Sequence, residues 1–272
     1  MPFATSCGKD IIVDALNSYY GSVRLLKYSE FDDDICFQLP APIRDRQTVA
    51  SRSQAAVLNE LAVSHRFSLL IGRGKYGVST ESAFAIKSVQ TTASGIDPSG
   101  EYEVSLRFEV ISRRQGVITA LRSTLVTKYG VEANRTITSF RILSPSLAHF
   151  VRRGRQFIDF ADVKISRDKS CLSTVADKHF RYHPSEDDRL SDGERVDHVP
   201  ALTLIDIALF VNRMAHQETV YSNIAADFLS YTDPRLPFDI VQRIDQSVIE
   251  FVQHDQLVAT VCYHECPGSS PN

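Results

Sequence analysis

The chain has 272 residues, of which 43% are hydrophobic and 23% are charged, and its formal net charge is -3. This composition is that of a globular protein long enough for one large domain or two of ordinary size. A charge so near neutral gives no reason to expect nucleic acid as a partner. No apolar run is long enough to span a membrane, and the first ten residues lack the pattern of a secretory signal. We therefore expect a cytoplasmic protein that does not enter a membrane.

The cysteine pattern predicts free thiols. Five cysteines are scattered along the chain, at positions 7, 36, 171, 262 and 266. Their odd number and lack of paired ligand spacing are typical of a protein in a reducing compartment. Zinc bound by Cys262, His264 and Cys266 is the less favoured alternative, because no second ligand pair accompanies them. The sequence predicts no metal site and no redox cofactor.

The predicted elements occur in the same order twice, which indicates an internal repeat. The first half begins with a hairpin, predicted from extended runs at 20–28 and 35–39 around a charged turn. A helix at about 54–71 follows, with apolar residues at helical spacing. Three strands complete this half, at about 82–91, 102–112 and 116–128.

The second half repeats this order of elements. Its hairpin is predicted from 157–165 and 171–180. Its helix is predicted at 200–215, where Pro200 suits the first turn because its missing N–H would have no helical partner there. Three strands follow again, at about 223–231, 240–253 and 256–264.

These elements predict the fold class. The alternation of polar and apolar residues over 101–110 indicates antiparallel strands with one solvated face. The boundary is predicted at Ser144-Pro145-Ser146, which divides the chain into a first repeat, 1–145, and a second repeat, 146–272. Each repeat is predicted to be an antiparallel sheet wrapped around one long central helix. Two such repeats form an α+β tandem, or double, hot-dog arrangement.

One carboxylate interrupts the most apolar predicted helix. The segment 199–211 is apolar nearly all round, which is typical of a buried helix, and Asp206 lies inside it. A buried carboxylate is costly unless it is paired, hydrogen-bonded or protonated. Asp206 is therefore either a catalytic base or a structural partner of Arg213, which lies two turns further along the same face. Glu60 has the same two interpretations in the first helix.

Two more titratable groups stand at the entrance of the second helix. Asp197 is predicted to cap this helix. The helix dipole favours a neutral imidazole at His198, and a neutral imidazole can donate or accept a proton near neutral pH. The structural alternative for His198 is a packing or capping role. The free N–H groups of the first turn could stabilise a developing negative charge.

The residues Asp197-His198-Val199-Pro200-Ala201, followed by Leu204-Ile205-Asp206, resemble the A-factor synthase family of γ-butyrolactone biosynthesis hot-dog proteins. Leu58-Asn59-Glu60 resembles the corresponding helix of the family's first repeat, and Tyr76-Gly77-Val78 resembles its Tyr-Gly-Val motif. The resemblance covers nearly the whole chain. It implies acyl transfer from a β-ketoacyl carrier protein to the hydroxyl of dihydroxyacetone phosphate.

The resemblance also implies roles for individual residues. The catalytic residues would be Asp206, His198 and Glu60, and the substrate-binding residues would be Asp197, Arg213 and Tyr76. The chain departs from the family pattern at several positions. The glycine after Val-Pro is Ala201, and the arginine expected three residues after each helix acid is replaced by Val63 and Leu209. The loss of these arginines weakens the case for binding a phosphate or an enolate there.

Three functions follow as alternatives. The first is acyl transfer, with an acyl carrier protein or acyl-CoA thioester as donor and a small hydroxylated acceptor. The second is another hot-dog chemistry, dehydration or thioester hydrolysis, which needs the same acid or base and the same oxyanion hole. The third is a protein without catalytic activity that binds an acyl ligand or another protein. The sequence leaves a homodimer open.

Overall fold

A computed structural model describes residues 5–20, 23–28, 35–39, 56–79, 81–93, 104–127, 132–152, 172–184, 198–215, 221–243 and 247–265. The chain divides into two compact units, Met1–Val49 with Asn59–Val151 and Ala50–Leu58 with Arg152–Asn272. The predicted repeat boundary after residue 145 stays a prediction. None of the helices within the described ranges combines the length and hydropathy that crossing a membrane requires.

The first half contains three helices and six strands among its described residues. The helices are α1 (Thr5–Tyr20), α2 (Ala56–Gly74) and α3 (Pro145–Arg152). The strands are β1 (Arg24–Lys27), β2 (Ile35–Leu39), β3 (Ala83–Ala93), β4 (Val104–Arg114), β5 (Val117–Thr127) and β6 (Glu132–Leu143). All neighbouring strands pair antiparallel, in the order β1-β2-β4-β5-β6-β3.

The second half has the same topology. Its described elements are α4 (Ala201–Ala215) and the strands β7 (Leu172–Ala176), β8 (His179–Tyr182), β9 (Tyr221–Phe228), β10 (Phe238–Arg243), β11 (Val248–Gln253) and β12 (Gln256–Glu265). The strands pair antiparallel in the order β7-β8-β10-β11-β12-β9. Each strand occupies the place of its counterpart in the first half, which supports the predicted internal repeat.

An aromatic core joins α2 to the sheet of the first half. Phe67 of α2 meets Phe37 of β2 edge-on, with ring centroids 5.0 Å apart, and stacks on Phe108 of β4 at 5.7 Å. Ile12 and Leu16 of α1 belong to the same buried cluster. Helix α1 was not predicted from the sequence, although its two buried residues are four apart, the spacing of one helical face.

Helix α4 is buried on almost every side, as its composition predicted. All its side chains from Thr203 to Leu209 are buried. The strands of this half alternate buried and less buried residues, as in β10, where Phe238 and Ile240 are buried. The alternation places one apolar face of the sheet in the interior of this unit, and α4 contacts β12.

The second hairpin differs from its prediction. Its turn lies at Asp177-Lys178, where Lys178 has a φ of 57°. Both β7 and β8 therefore lie almost entirely within the single strand that was predicted at 171–180. The predicted partner strand, 157–165, lies outside the described residues. A left-handed turn residue other than glycine, asparagine or aspartate gives no sequence signal, so alternation alone does not reveal the turn.

Two other predictions for the strands need correction. The strand predicted at 240–253 is interrupted, because β10 ends at Arg243 and β11 begins at Val248. Ser247, next to this break, again has a positive φ, 51°. Strand β6 and helix α3 were also not predicted. The hairpin turns predicted at 113–116 and 254–256 are confirmed, and both contain residues with positive φ.

An ion pair links two strands on the exposed surface of the second half. Arg181 of β8 and Asp239 of β10 lie directly opposite each other. Arg181 donates from Nε to Oδ1 at 2.7 Å and from Nη2 to Oδ2 at 3.0 Å. These hydrogen bonds lower the pKa of Asp239, and burial opposes them only in part. His179 Nε2 lies 3.6 Å from Asp239 Oδ2 and adds a smaller effect of the same sign.

The lowered pKa of Asp239 predicts a dependence of stability on pH. The ionised carboxylate stabilises the fold above its ordinary pKa, and this contribution is lost as pH falls through the lowered pKa. We expect Asp239→Asn to lower the free energy of unfolding near neutral pH, and to lower it less in acid. High salt should weaken the effect because the pair is partly exposed. Urea unfolding measures both trends, and an equal effect at both pH values would contradict the assignment.

Candidate functional site

Asp206 lies beneath the least buried stripe of α4. Its side chain is only 3% exposed. Leu202 and Phe210 lie four residues before and after it, on the same face of the helix, and both are only half buried. The neighbouring side chains on the other faces, from Ile207 to Leu209, are buried. The carboxylate is therefore shielded from solvent but lies on the side of α4 that has the least cover.

The entrance of α4 is joined to the segment that precedes β10. His198 is half buried, and its imidazole meets the ring of Tyr231 edge-on, with centroids 4.6 Å apart. The Val199 N–H donates to the Thr232 carbonyl at 2.9 Å. Asp206 follows Ala201 by five residues, or about 7.5 Å of helix rise. Asp206 thus lies in the second turn of the helix, and His198 precedes that helix by three residues.

One buried glutamine forms hydrogen bonds with the segment 231–237, the turn that precedes β10. Gln253, the last residue of β11, is 5% exposed, and its Oε1 accepts from the Asp233 N–H at 2.7 Å. Its Nε2 donates to three carbonyls, those of Asp233 at 3.0 Å, Leu236 at 3.1 Å and Pro237 at 3.4 Å. The hydroxyl of Thr232, in contrast, is buried and has no hydrogen-bond partner among the residues that the structure describes.

The structure describes the side chains of three of the six predicted site residues, Asp206, His198 and Tyr76. The six predicted residues were Asp206, His198, Glu60, Asp197, Arg213 and Tyr76. Asp206 and His198 belong to the same unit and to the same helix or its entrance. Asp197 lies outside the described residues. Glu60 lies in α2 and Arg213 in α4, but their side chains are also outside the description, so the roles of these three residues stay predictions.

Tyr76 lies in the first unit, just after α2, and packs against two apolar clusters there. Two cations face its ring, with Lys75 Nζ 5.8 Å and Arg113 Cζ 5.2 Å from the centroid. These contacts resemble ordinary cation–π packing at a partly exposed site. Substrate binding by Tyr76 stays a prediction.

The two positions where the A-factor synthase pattern has arginine are core positions here. Val63 of α2 is 2% exposed, and Leu209 of α4 is 0% exposed. Each packs as an apolar residue, so neither position provides a cation for a phosphate. Within the described ranges, no three His, Cys, Asp or Glu side chains are close enough to hold a metal ion.

Three polar features of the second half were missed from the sequence. They are the Tyr231 ring against His198, the Gln253 side chain in the turn, and a buried network at the far end of α4. In that network Gln242 Nε2 donates to Asn212 Oδ1 at 3.1 Å and to Tyr263 Oη at 3.3 Å. Both glutamines stand at apolar positions of alternating strands, and that signal could have identified them.

The burial of Leu209 can be tested directly. We expect Leu209→Arg to lower the free energy of unfolding by about 1–3 kcal/mol, because the larger side chain overpacks a fully buried position even where its charge meets Asp206, three residues earlier. Met214, on the same helix, is 41% exposed, so Met214→Arg should change the stability by no more than about 0.5 kcal/mol. Urea unfolding of both variants provides the comparison. An L209R protein as stable as the parent would mean that this position can accommodate the arginine.

No protein-family model and no curated protein sequence matches the chain. Among solved structures, it is similar to the 12:0-ACP thioesterase from Umbellularia californica, with a TM-score of 0.55 at 11% identity, over 88% of this chain and 99% of that one. An acyl-ACP thioesterase from Bacteroides thetaiotaomicron gives 0.54 at 11% identity, over 88% and 100%. HtdX of Mycobacterium tuberculosis gives 0.52 at 9% identity, over 85% and 100%.

These similarities bear on the fold and not on the residues of the site. The A-factor synthase family in particular receives no support from them. A helix at the centre of each sheet also stays part of the prediction. The part that is supported is a large antiparallel sheet with few helices, matched along nearly the whole length of the known proteins. The chain has the fold of the hot-dog proteins that these structures represent.

Proposed function

We propose that the protein is an enzyme that hydrolyses acyl thioesters, with an acyl carrier protein or coenzyme A as the thiol carrier. The observation that carries this proposal is the likeness to an acyl-ACP thioesterase over 88% of this chain and 100% of that protein. A match of this extent includes both repeats. Hydrolysis was one of the alternatives left by the sequence, and the fold favours it over acyl transfer to dihydroxyacetone phosphate.

The reacting groups would be those at the entrance of α4. The first hydrogen bond within this helix is donated by the Leu204 N–H to the Pro200 carbonyl at 3.1 Å. The amides of Ala201 and Leu202 precede that bond and are the donors that a helix N-terminus offers to a negative charge. They would bind the thioester carbonyl oxygen as negative charge develops on it.

Asp206 and His198 would move the protons. Asp206 takes a proton from water, whose oxygen attacks the thioester carbonyl carbon. The proton then passes from Asp206 through solvent to the neutral imidazole of His198. As the C–S bond of the tetrahedral intermediate breaks, the imidazolium gives this proton to the departing thiolate. The products are a carboxylic acid and a free thiol, and Asp206 and His198 are left in their starting forms. The half-buried Leu202 and Phe210 on the stripe of Asp206 would contact the acyl chain.

Two other reactions use the same groups. Dehydration of a β-hydroxyacyl thioester needs a base and an oxyanion hole, but it leaves the thioester intact. Acyl transfer is supported only by the resemblance of residues 197–201 to the A-factor synthase motif. It would further require a site for a phosphate-bearing acceptor, and the apolar Val63 and Leu209 give no support to one.

The test uses saturated, β-keto and β-hydroxy acyl thioesters, presented on carrier protein and on coenzyme A, with and without dihydroxyacetone phosphate. We expect release of free thiol together with free acid, which mass spectrometry identifies. An intact enoyl thioester would indicate dehydration, and an ester of the acceptor would indicate transfer. If all substrates are recovered unchanged, the proposal of an enzyme is wrong.

Replacing the proposed base should remove activity without unfolding the protein. We expect Asp206→Asn and His198→Gln each to lower thioester hydrolysis by roughly 10²–10⁴-fold, the range of general acid–base catalysis. The melting temperature of D206N should hold or rise, because a desolvated charge has been removed. Asp239→Asn, in the same half but in the surface ion pair, is the matched control and should keep full activity per folded molecule.

The structural interpretation of Asp206 makes the opposite prediction. If Asp206 only pairs with a neighbouring group, D206N should lower the free energy of unfolding by about 3–5 kcal/mol. Activity per folded molecule would then be nearly unchanged. Melting temperature and rate, measured on the same preparation, separate the two interpretations.

A further inference from the structure

We infer that Gln253 is a positioning residue for His198, acting through the turn that precedes β10. The inference rests on the proposed function for its catalytic meaning, since it is His198 that would transfer a proton. The geometry behind it, however, is independent of any reaction. It consists of a continuous series of contacts from the side chain of Gln253 to the imidazole of His198, all within the second unit.

The first step in the series is the set of hydrogen bonds between Gln253 and the turn. Its buried side-chain amide is bonded to four backbone groups between residues 233 and 237. The other end of the same segment is held by backbone alone, where the N–H groups of Leu229 and Ser230 donate to the Val258 carbonyl at 2.9 and 3.2 Å. Residues 231 and 232 lie between these two anchors.

The second step joins the turn to the helix entrance. Tyr231 contacts the His198 imidazole, and the Thr232 carbonyl accepts from Val199 N–H at 2.9 Å. Through these contacts the segment holds the approach to α4. A shift of residues 231–232 would therefore move the imidazole relative to the first turn of the helix and to Asp206. Displacements of about 1 Å in such groups can lower rates 10²-fold.

The third observation is that the turn carries a buried polar group that the described residues do not pair. The Thr232 hydroxyl has no hydrogen-bond partner among them, which is unfavourable. The turn's own bonds run from the Leu236 N–H to the Asp233 carbonyl at 3.4 Å and from the Arg235 N–H to Asp233 Oδ1 at 2.9 Å, and the four bonds of Gln253 add to them. Removing the amide should therefore loosen the turn, because the Asp233 N–H and the Leu236 and Pro237 carbonyls lose their bond to Gln253.

The chain provides a matched control for this test. Gln242 is 4% exposed and Gln253 is 5% exposed, and both are strand residues of the same half. Gln242 bonds with Asn212 and Tyr263 and not with the turn. Gln253→Leu and Gln242→Leu therefore both remove a buried amide, but only the first should affect His198.

We expect Q253L to lower kcat/KM for thioester hydrolysis by roughly 10- to 100-fold and to shift its pH profile. Q242L should keep the activity per folded molecule within about twofold, with the pH profile unchanged. Both variants should lower the melting temperature by a similar amount, because each removes one buried amide. A second readout needs no activity. In NMR spectra, the contact between the rings of His198 and Tyr231 should be lost in Q253L and kept in Q242L.

The outcomes separate this inference from the proposed function. If the native protein hydrolyses no thioester but Q253L alone loses the ring contact, the function is wrong and the positioning role stands. If Q253L and Q242L change the ring contact and the pH profile equally, the positioning role is wrong.

A second variant keeps the inference testable if Q253L does not fold. Thr232→Val replaces the unpaired hydroxyl with a methyl group and keeps the backbone bond to Val199. We expect T232V to raise the melting temperature and to keep the ring contact, and T232V/Q253L to be more stable than Q253L. A T232V protein that melts lower than the parent would overturn the argument that the Thr232 hydroxyl makes the turn less favourable.

Discussion

The burial of α4 constrains the whole second half of the chain. A helix without a solvated face has no place for a polar group unless that group has a partner. The sheet supplies one such partner near the end of the helix, where Gln242 bonds with Asn212 and Tyr263. It supplies another at the entrance, where Gln253 holds the turn that contacts His198 and Val199. Asp206 is an ionisable group of the helix between these two positions and is itself buried.

The two halves share a topology but differ in their buried polar groups. In the first half, the Thr91 hydroxyl of β3 forms hydrogen bonds with the side chains of Asn134 and Thr136 of β6, both at 2.9 Å. These buried polar side chains of neighbouring strands are therefore partners for one another. The core beside them consists of stacked phenylalanines, and α1 completes it. In the second half the buried amides reach the helix and its entrance. The repeat therefore preserves strand order but not the buried polar groups of its helices, which are Ser64, Arg66 and Ser68 in α2 and Thr203, Asp206 and Asn212 in α4.

The periodicity of the sequence predicted those elements that can be recognised within one short stretch of residues. Helix α4 was predicted because the long apolar segment 199–211 is typical of a buried helix. Asp206 was noticed because it interrupts that segment. The breaks at Lys178 and Ser247 were missed because the residue with positive φ is neither a glycine nor an asparagine at either place. Tyr231 and Gln253 were missed for another reason. Their contacts join residues far apart in the sequence, and neither spacing nor composition records which strand ends meet.

Two observations are consistent with the proposed hydrolysis of a thioester. One is the departure of the chain from the A-factor synthase pattern, and the other is its likeness to known structures. Transfer to a phosphate-bearing acceptor needs cations that hold the acceptor, and the two positions where the pattern has arginine are the buried Val63 and Leu209. Hydrolysis needs no second substrate site, because its acceptor is water. A carboxylate, an imidazole and the amides of one helix end are then sufficient, and α4 with its entrance has all three. The proposed hydrolysis would therefore need no cation at those two core positions.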